Sequence, residues 1–125
     1  MIEILELTVF DDVELKDYIL KTDYFCEFIQ MELSINKSEG YQYSFEFNLC
    51  DLRGFEKFIL NNDQDYLNMN VCALKNYNLL IIKEYNYKVL LDYLSAIFTK
   101  AIKQSNDADT IAKRINEYLD WRDYS

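Results

Sequence analysis

Residues 24–60 read YFCEFIQMELSINKSEGYQYSFEFNLCDLRGFEKFIL, and the architecture follows from how apolar side chains alternate along them. Phe25, Ile29, Met31, Leu33 and Ile35 share one parity of the first run, and Tyr41, Tyr43, Phe45, Phe47 and Leu49 share one parity of the second. A strand sends alternate side chains to opposite faces, so each run has one apolar face. The other parity carries Gln30, Glu32 and Ser34, then Gln42, Ser44, Glu46 and Asn48. The pattern is that of a half-buried antiparallel hairpin whose wet face is acidic and neutral-polar. Its turn, Asn36-Lys37-Ser38-Glu39-Gly40, ends in a glycine where longer hairpin loops commonly need a positive φ.

After Leu49 the period changes. Asp51 is placed to cap a helix with Leu52, Phe55, Phe58 and Ile59 on one side. Gly54 inside that helix costs up to about 1 kcal/mol against Ala, a cost that suits a close helix-to-sheet contact. Working outward, Ile2 to Phe10 is β-leaning but of mixed parity. Asp11 with Glu14 resembles a capping box, and Leu15, Tyr18 and Ile19 predict a short helix up to about Lys21. Tyr66 to Leu74 alternates again and predicts a strand. Tyr77 to Tyr85 predicts its hairpin partner, apolar on both parities and therefore central in the sheet or covered on both faces. Leu90, Leu91, Leu94, Ile97, Phe98, Ala101 and Ile102 then form a helical stripe, Ser105-Asn106-Asp107 breaks and recaps, and Ala108, Ile111, Ala112, Ile115, Tyr118 and Leu119 form another. The expectation is an α+β fold, with a mostly antiparallel sheet, helices packed on one face and two C-terminal helices. A length of 125 residues with no proline and two glycines gives no linker, so residues 1–125 read as a single domain.

Composition excludes several classes of function. Apolar runs such as Leu79 to Ile82 are far too short to cross a bilayer, and the start, Met-Ile-Glu-Ile-Leu-Glu, lacks a basic region ahead of an apolar one. The chain reads as soluble and cytoplasmic. A formal charge of −9, from 13 basic residues scattered among 22 acids, disfavours direct phosphate binding and favours a basic partner, although net charge also serves solubility. Cys26, Cys50 and Cys72 are odd in number without a C-x-x-C spacing, so they predict half-buried thiols and neither a disulfide framework nor a zinc knuckle.

Catalytic sets are sparse. The absence of histidine removes the usual base near neutral pH and every Ser-His or Cys-His dyad. Gly40 and Gly54 stand apart, so no phosphate-cradling loop is formed. Asp63-Gln64-Asp65 and Asp107-Ala108-Asp109 have the spacing of cation loops but lack the following glycine and closing glutamate, and read as loop and cap acids. Glu14-Leu15-Lys16 has the acid-x-Lys spacing of some metal-dependent nucleases without a placed third acid. No cofactor or metal is expected. Glu27, the one acid on the apolar parity of the first run, is the candidate for an enzyme reading in which burial raises a carboxyl's pKa. Tyrosines are abundant, and the tail Glu117-Tyr118-Leu119-Asp120-Trp121-Arg122-Asp123-Tyr124 mixes acids with aromatic anchors of the kind enriched at interfaces. The same tail is compatible with a helix end whose Trp packs back on the sheet.

The layout of residues 24–85 resembles that of small bacterial immunity proteins of polymorphic or contact-dependent toxin systems, the WapI-type group among them. The likeness is carried by the hairpin Phe28-Ile29-Gln30-Met31-Glu32-Leu33-Ser34-Ile35 and Tyr41-Gln42-Tyr43-Ser44-Phe45-Glu46-Phe47. That hairpin leads into Leu49-Cys50-Asp51-Leu52-Arg53-Gly54-Phe55-Glu56-Lys57-Phe58. The resemblance implies a non-catalytic intracellular protein that binds one cognate toxin, often a basic nuclease, and blocks its active site. The expected contact residues are Glu32 and Glu46 on the hairpin and Asp120, Trp121, Asp123 and Tyr124 in the tail. Competing readings are a phage-encoded acidic inhibitor of a nucleic-acid-handling defence complex, an enzyme built around Glu27, and a structural homodimer joined through the helical tail.

Overall fold

Alternation along the central hairpin becomes a ladder of paired residues from Cys26↔Cys50 to Leu33↔Tyr43. The structure is a computed structural model that describes residues 1–9, 13–20, 22–37, 41–62, 78–103 and 105–122. Its strands are β1 (Ile2–Val9), β2 (Val13–Glu14), β3 (Cys26–Ile35), β4 (Tyr43–Cys50), β5 (Leu79–Ile81) and β6 (Asp120–Trp121). Its helices are α1 (Leu52–Asn62), α2 (Tyr87–Ile102) and α3 (Ala108–Ile115). The sheet runs β2-β1-β3-β4-β5, and β6 also pairs with β4. β6 lies beside Phe45 and Glu46 while β5 lies beside residues 48–50, so the two share one edge of β4 end to end. All pairings are antiparallel except β4 with β5. The fold is α+β with a mostly antiparallel sheet and two C-terminal helices.

One face of the sheet is the core. Ile29, Met31, Leu33, Ile35, Tyr43, Phe45, Phe47 and Leu49 are all buried, and they share one cluster with Leu90, Leu94, Ile97 and Phe98 of α2 and Ile111, Ala112 and Ile115 of α3. Each large side chain fully buried in this way contributes about 1.5–3 kcal/mol. Asn86 caps α2 by accepting from the Val89 N–H, and Asp107 caps α3 by accepting from the Thr110 N–H, so the expected break between the helices forms.

α1 covers one end of the opposite face, where Phe55 and Phe58 pack with Cys26, Cys50 and Leu79. Asp51 docks it: Oδ1 accepts from the Gly54 N–H at 2.6 Å and Oδ2 from the Phe25 N–H at 2.9 Å. The Asp51 N–H in turn donates to the Phe25 carbonyl at 3.0 Å. A Cβ on Gly54 would stand 1.8 Å from that carbonyl oxygen, so the close helix-to-sheet approach expected of this glycine is present.

Several expectations change. The mixed parity of the first strand is a β-bulge between Ile4 and Glu6, which lets Ile2 and Ile4 fall on the same face as Leu7 and Val9. The helix expected over 11–21 does not form in its described part. Val13 and Glu14 pair with Val9 and Thr8, and a single 3-10 turn, Leu15–Asp17, follows. Leu15 enters the core while Ile19 is exposed, so the apolar residues there do not share a helical face. β5 is parallel to β4 and lies at an edge among the described strands, not centrally. Its two apolar parities are explained by cover on both faces, Leu79 meeting the α1 cluster and Leu80 the main core. Its expected antiparallel partner, 66–74, lies outside the described residues. So does Gly40; among the described residues of the hairpin turn, Asn36 (56°) and Lys37 (52°) have positive φ. The last helix stops at Ile115, after which the chain turns into β6 in place of continuing through Leu119.

Candidate functional site

The outer sheet face is built by register. Because the Asp51 N–H to Phe25 carbonyl bond flanks the Cys26–Cys50 pair, that pair is of the non-hydrogen-bonded kind. Alternation along the ladder makes Gln30–Glu46 and Glu32–Ser44 the same kind, in which side chains come closest. A row then crosses five strands: Glu14 on β2, Thr8 on β1, Gln30 on β3, Glu46 on β4 and Asp120 on β6. The adjoining row is Glu6, Glu32 and Ser44, and beyond it Glu3 faces Ser34.

Two like-charge pairs stand directly opposite, Glu6 with Glu32 and Glu46 with Asp120. Such pairs are destabilising, by roughly 0.2–1 kcal/mol each. Glu32 is held upright by Ser44, whose hydroxyl lies 2.8 and 2.7 Å from its two carboxylate oxygens. Glu6, Thr8, Gln30, Glu32, Ser44, Glu46 and Arg122 line a shallow polar hollow of about 190 Å³. Arg122 is anchored at its rim by a backbone bond to the Ser44 carbonyl.

This arrangement brings expected contact residues from hairpin and tail onto one surface: Glu46 and Asp120 are cross-strand neighbours, one row from Glu32. Trp121 goes elsewhere. It pairs with Phe45, the residue is 7% exposed, and its ring lies near Tyr43 and Phe45 in the core. It therefore follows the alternative in which the Trp packs back on the sheet. Asp123 and Tyr124 lie outside the described residues. Glu3, Glu6 and Glu14 belong to the face and were not expected there. The bulge hid the first two, since only a one-residue slip at Leu5 puts Ile2, Ile4, Leu7 and Val9 on one side and Glu3 and Glu6 on the other.

Glu27 accepts a 2.9 Å hydrogen bond from the Tyr18 hydroxyl. Burial and this acceptor push the Tyr18 hydroxyl up to about 12, so it stays a donor at neutral pH. Tyr18 in turn packs edge-on against Phe25, which stacks on Tyr85. A larger cleft of about 430 Å³ lies between β5 and α2, lined by Leu49, residues 79–83, Val89, Leu90 and Tyr93. Its lining, among the described residues, is mainly aliphatic and carries no carboxylate. Among the described residues no group of three or more Cys, Asp or Glu is placed to hold a metal ion. None of their helices is long and apolar enough to cross a membrane.

Fold and face together define an α+β fold in which α2 and α3 seal one side of the sheet and, among the described residues, the other side is capped at one end by α1 and presents partly exposed acids. No family model, no curated protein and no solved structure matches the chain.

Proposed function

We propose that the protein is an immunity protein: it binds a cognate, basic, nuclease-type toxin through the acidic sheet face and blocks the toxin's active site. The observation that carries this reading is the pair of like-charge cross-strand contacts, Glu6–Glu32 and Glu46–Asp120. A fold under no other demand gains by breaking up such pairs, whereas a cationic partner turns their repulsion into attraction. Carboxylates set one strand spacing apart, about 4.8 Å, offer a flat array matched to Lys and Arg side chains. Complementary charge of this kind speeds encounter up to about 10⁸–10⁹ M⁻¹s⁻¹ at low salt, and the gain falls as salt rises. An immunity protein gains from that speed, because toxin must be captured before it reaches its substrate.

The test is co-expression with the product of the adjacent gene. The reading expects that product to halt growth alone, to co-purify with this chain, and to be silenced by it. A product that is harmless alone and does not co-purify sinks the proposal.

A further inference from the structure

The end of the hairpin opposite its turn holds a second chemistry, independent of the acidic face. Cys26 and Cys50 are direct cross-strand partners at a non-hydrogen-bonded position, and their sulfurs lie 3.0 Å apart. Antiparallel strands bring Cα atoms to about 4.5 Å at such positions, inside the range that a disulfide spans. Both thiols are free. We infer that Cys26 and Cys50 form a reversible oxidation site, closed to a disulfide by small-molecule disulfides of the glutathione type.

The two sulfurs differ in the way this chemistry needs. Cys26 is half-buried, while Cys50 beside it is fully buried. The Cys50 S–H donates to the Cys26 sulfur, which favours the thiolate at Cys26, and the same bond with burial keeps the proton on Cys50. Thiolate is the attacking species, so Cys26 reacts first. Its sulfur attacks one sulfur of the small disulfide, the small disulfide's S–S bond breaks, and one small thiol leaves carrying a proton. Cys50 then loses its proton and attacks the Cys26 sulfur, and the second small thiol leaves with that proton. Two protein thiols are oxidised and one small disulfide is reduced to two thiols.

The product ties β3 to β4 at the residue before Asp51, where the chain enters α1, and beside Ile81 of β5. The closed loop contains the whole hairpin, including Glu32 and Glu46. Oxidation thus clamps the strands that carry the acidic rows without touching those rows.

The folded full-length chain is incubated with oxidised glutathione, its free thiols are alkylated, and the protein is digested with trypsin. Each cysteine falls in its own peptide: Cys26 in 22–37, Cys50 in 38–53 and Cys72 in 58–75. The expected result is that neither Cys26 nor Cys50 is alkylated and 22–37 is linked to 38–53, with both thiols fully recovered on reduction with dithiothreitol. Cys72→Ser leaves the link intact. A link through 58–75, glutathione retained on Cys26 without ring closure, or Cys26 and Cys50 still free after treatment would each overturn the inference. The wild-type map is decisive without any variant.

Discussion

Asp51 and Gly54 fasten α1 to the sheet through one carboxylate and one missing side chain. Helix propensity alone argues that Gly54→Ala should stabilise the protein by about 1 kcal/mol. The new methyl carbon, however, would meet the Phe25 carbonyl oxygen, a backbone atom held by the Asp51 N–H and unable to swing away. Overpacking of this kind costs about 1–3 kcal/mol or more, so the clash outweighs the propensity. Gly54→Ala is therefore expected to lower the urea midpoint, and an unchanged or higher midpoint would show that α1 stands off the sheet. Trp121, the single tryptophan, gives a second residue-level expectation. With its ring against Phe45, Trp121→Ala should cost about 3–5 kcal/mol. The wild-type emission should be that of a shielded indole which shifts to the red on unfolding.

At the scale of elements, α3 has a pH-sensitive cap. Asp107 accepts from the Thr110 hydroxyl and N–H, and these bonds hold its carboxyl below the ordinary carboxylate range. A depressed folded pKa means that the contribution is complete above the unfolded value, near pH 4, and is lost as pH falls through the lower folded value. Asp107→Asn should therefore flatten the acid limb of the stability curve measured by urea unfolding between pH 5 and pH 2. The hairpin, the α1 cap and the break between α2 and α3 were legible because local rules govern them: period-two alternation, Asp51 ahead of an apolar helix, Asp107 ahead of another. What escaped was non-local. Val13 and Glu14 pair with β1 in place of starting a helix, a choice made by a neighbouring strand edge. The Leu5 bulge hid Glu3 and Glu6, and the short strand β6, which brings Trp121 opposite Phe45, replaced the end of the expected helical stripe. Two of the six acids of the candidate face, Glu32 and Glu46, were visible from parity alone, and the link to Asp120 required the register. The same rows make an element-level prediction: Glu32→Gln relieves the repulsion with Glu6 and leaves a side-chain oxygen facing Ser44. Its stability should be unchanged or raised by up to about 0.5 kcal/mol in urea unfolding. A clear loss would mean that the Glu32 carboxylate is there for the fold.

For the molecule as a whole, charge and packing are divided between the two sides of one sheet. Helices α2 and α3 take the apolar side, while Glu3, Glu6, Glu14, Glu32, Glu46 and Asp120 line the other. On the proposed reading, stability and binding pull in opposite directions at these acids, and that separation is what an experiment should exploit. The most direct measurement compares wild type with Glu32→Lys/Glu46→Lys in cells that express the product of the adjacent gene. Each lysine would face an existing acid, Glu6 or Asp120, so the variant should match or exceed the wild-type urea midpoint. The account predicts that the wild type restores growth and the equally stable variant does not. Rescue by the variant as complete as by the wild type would contradict it.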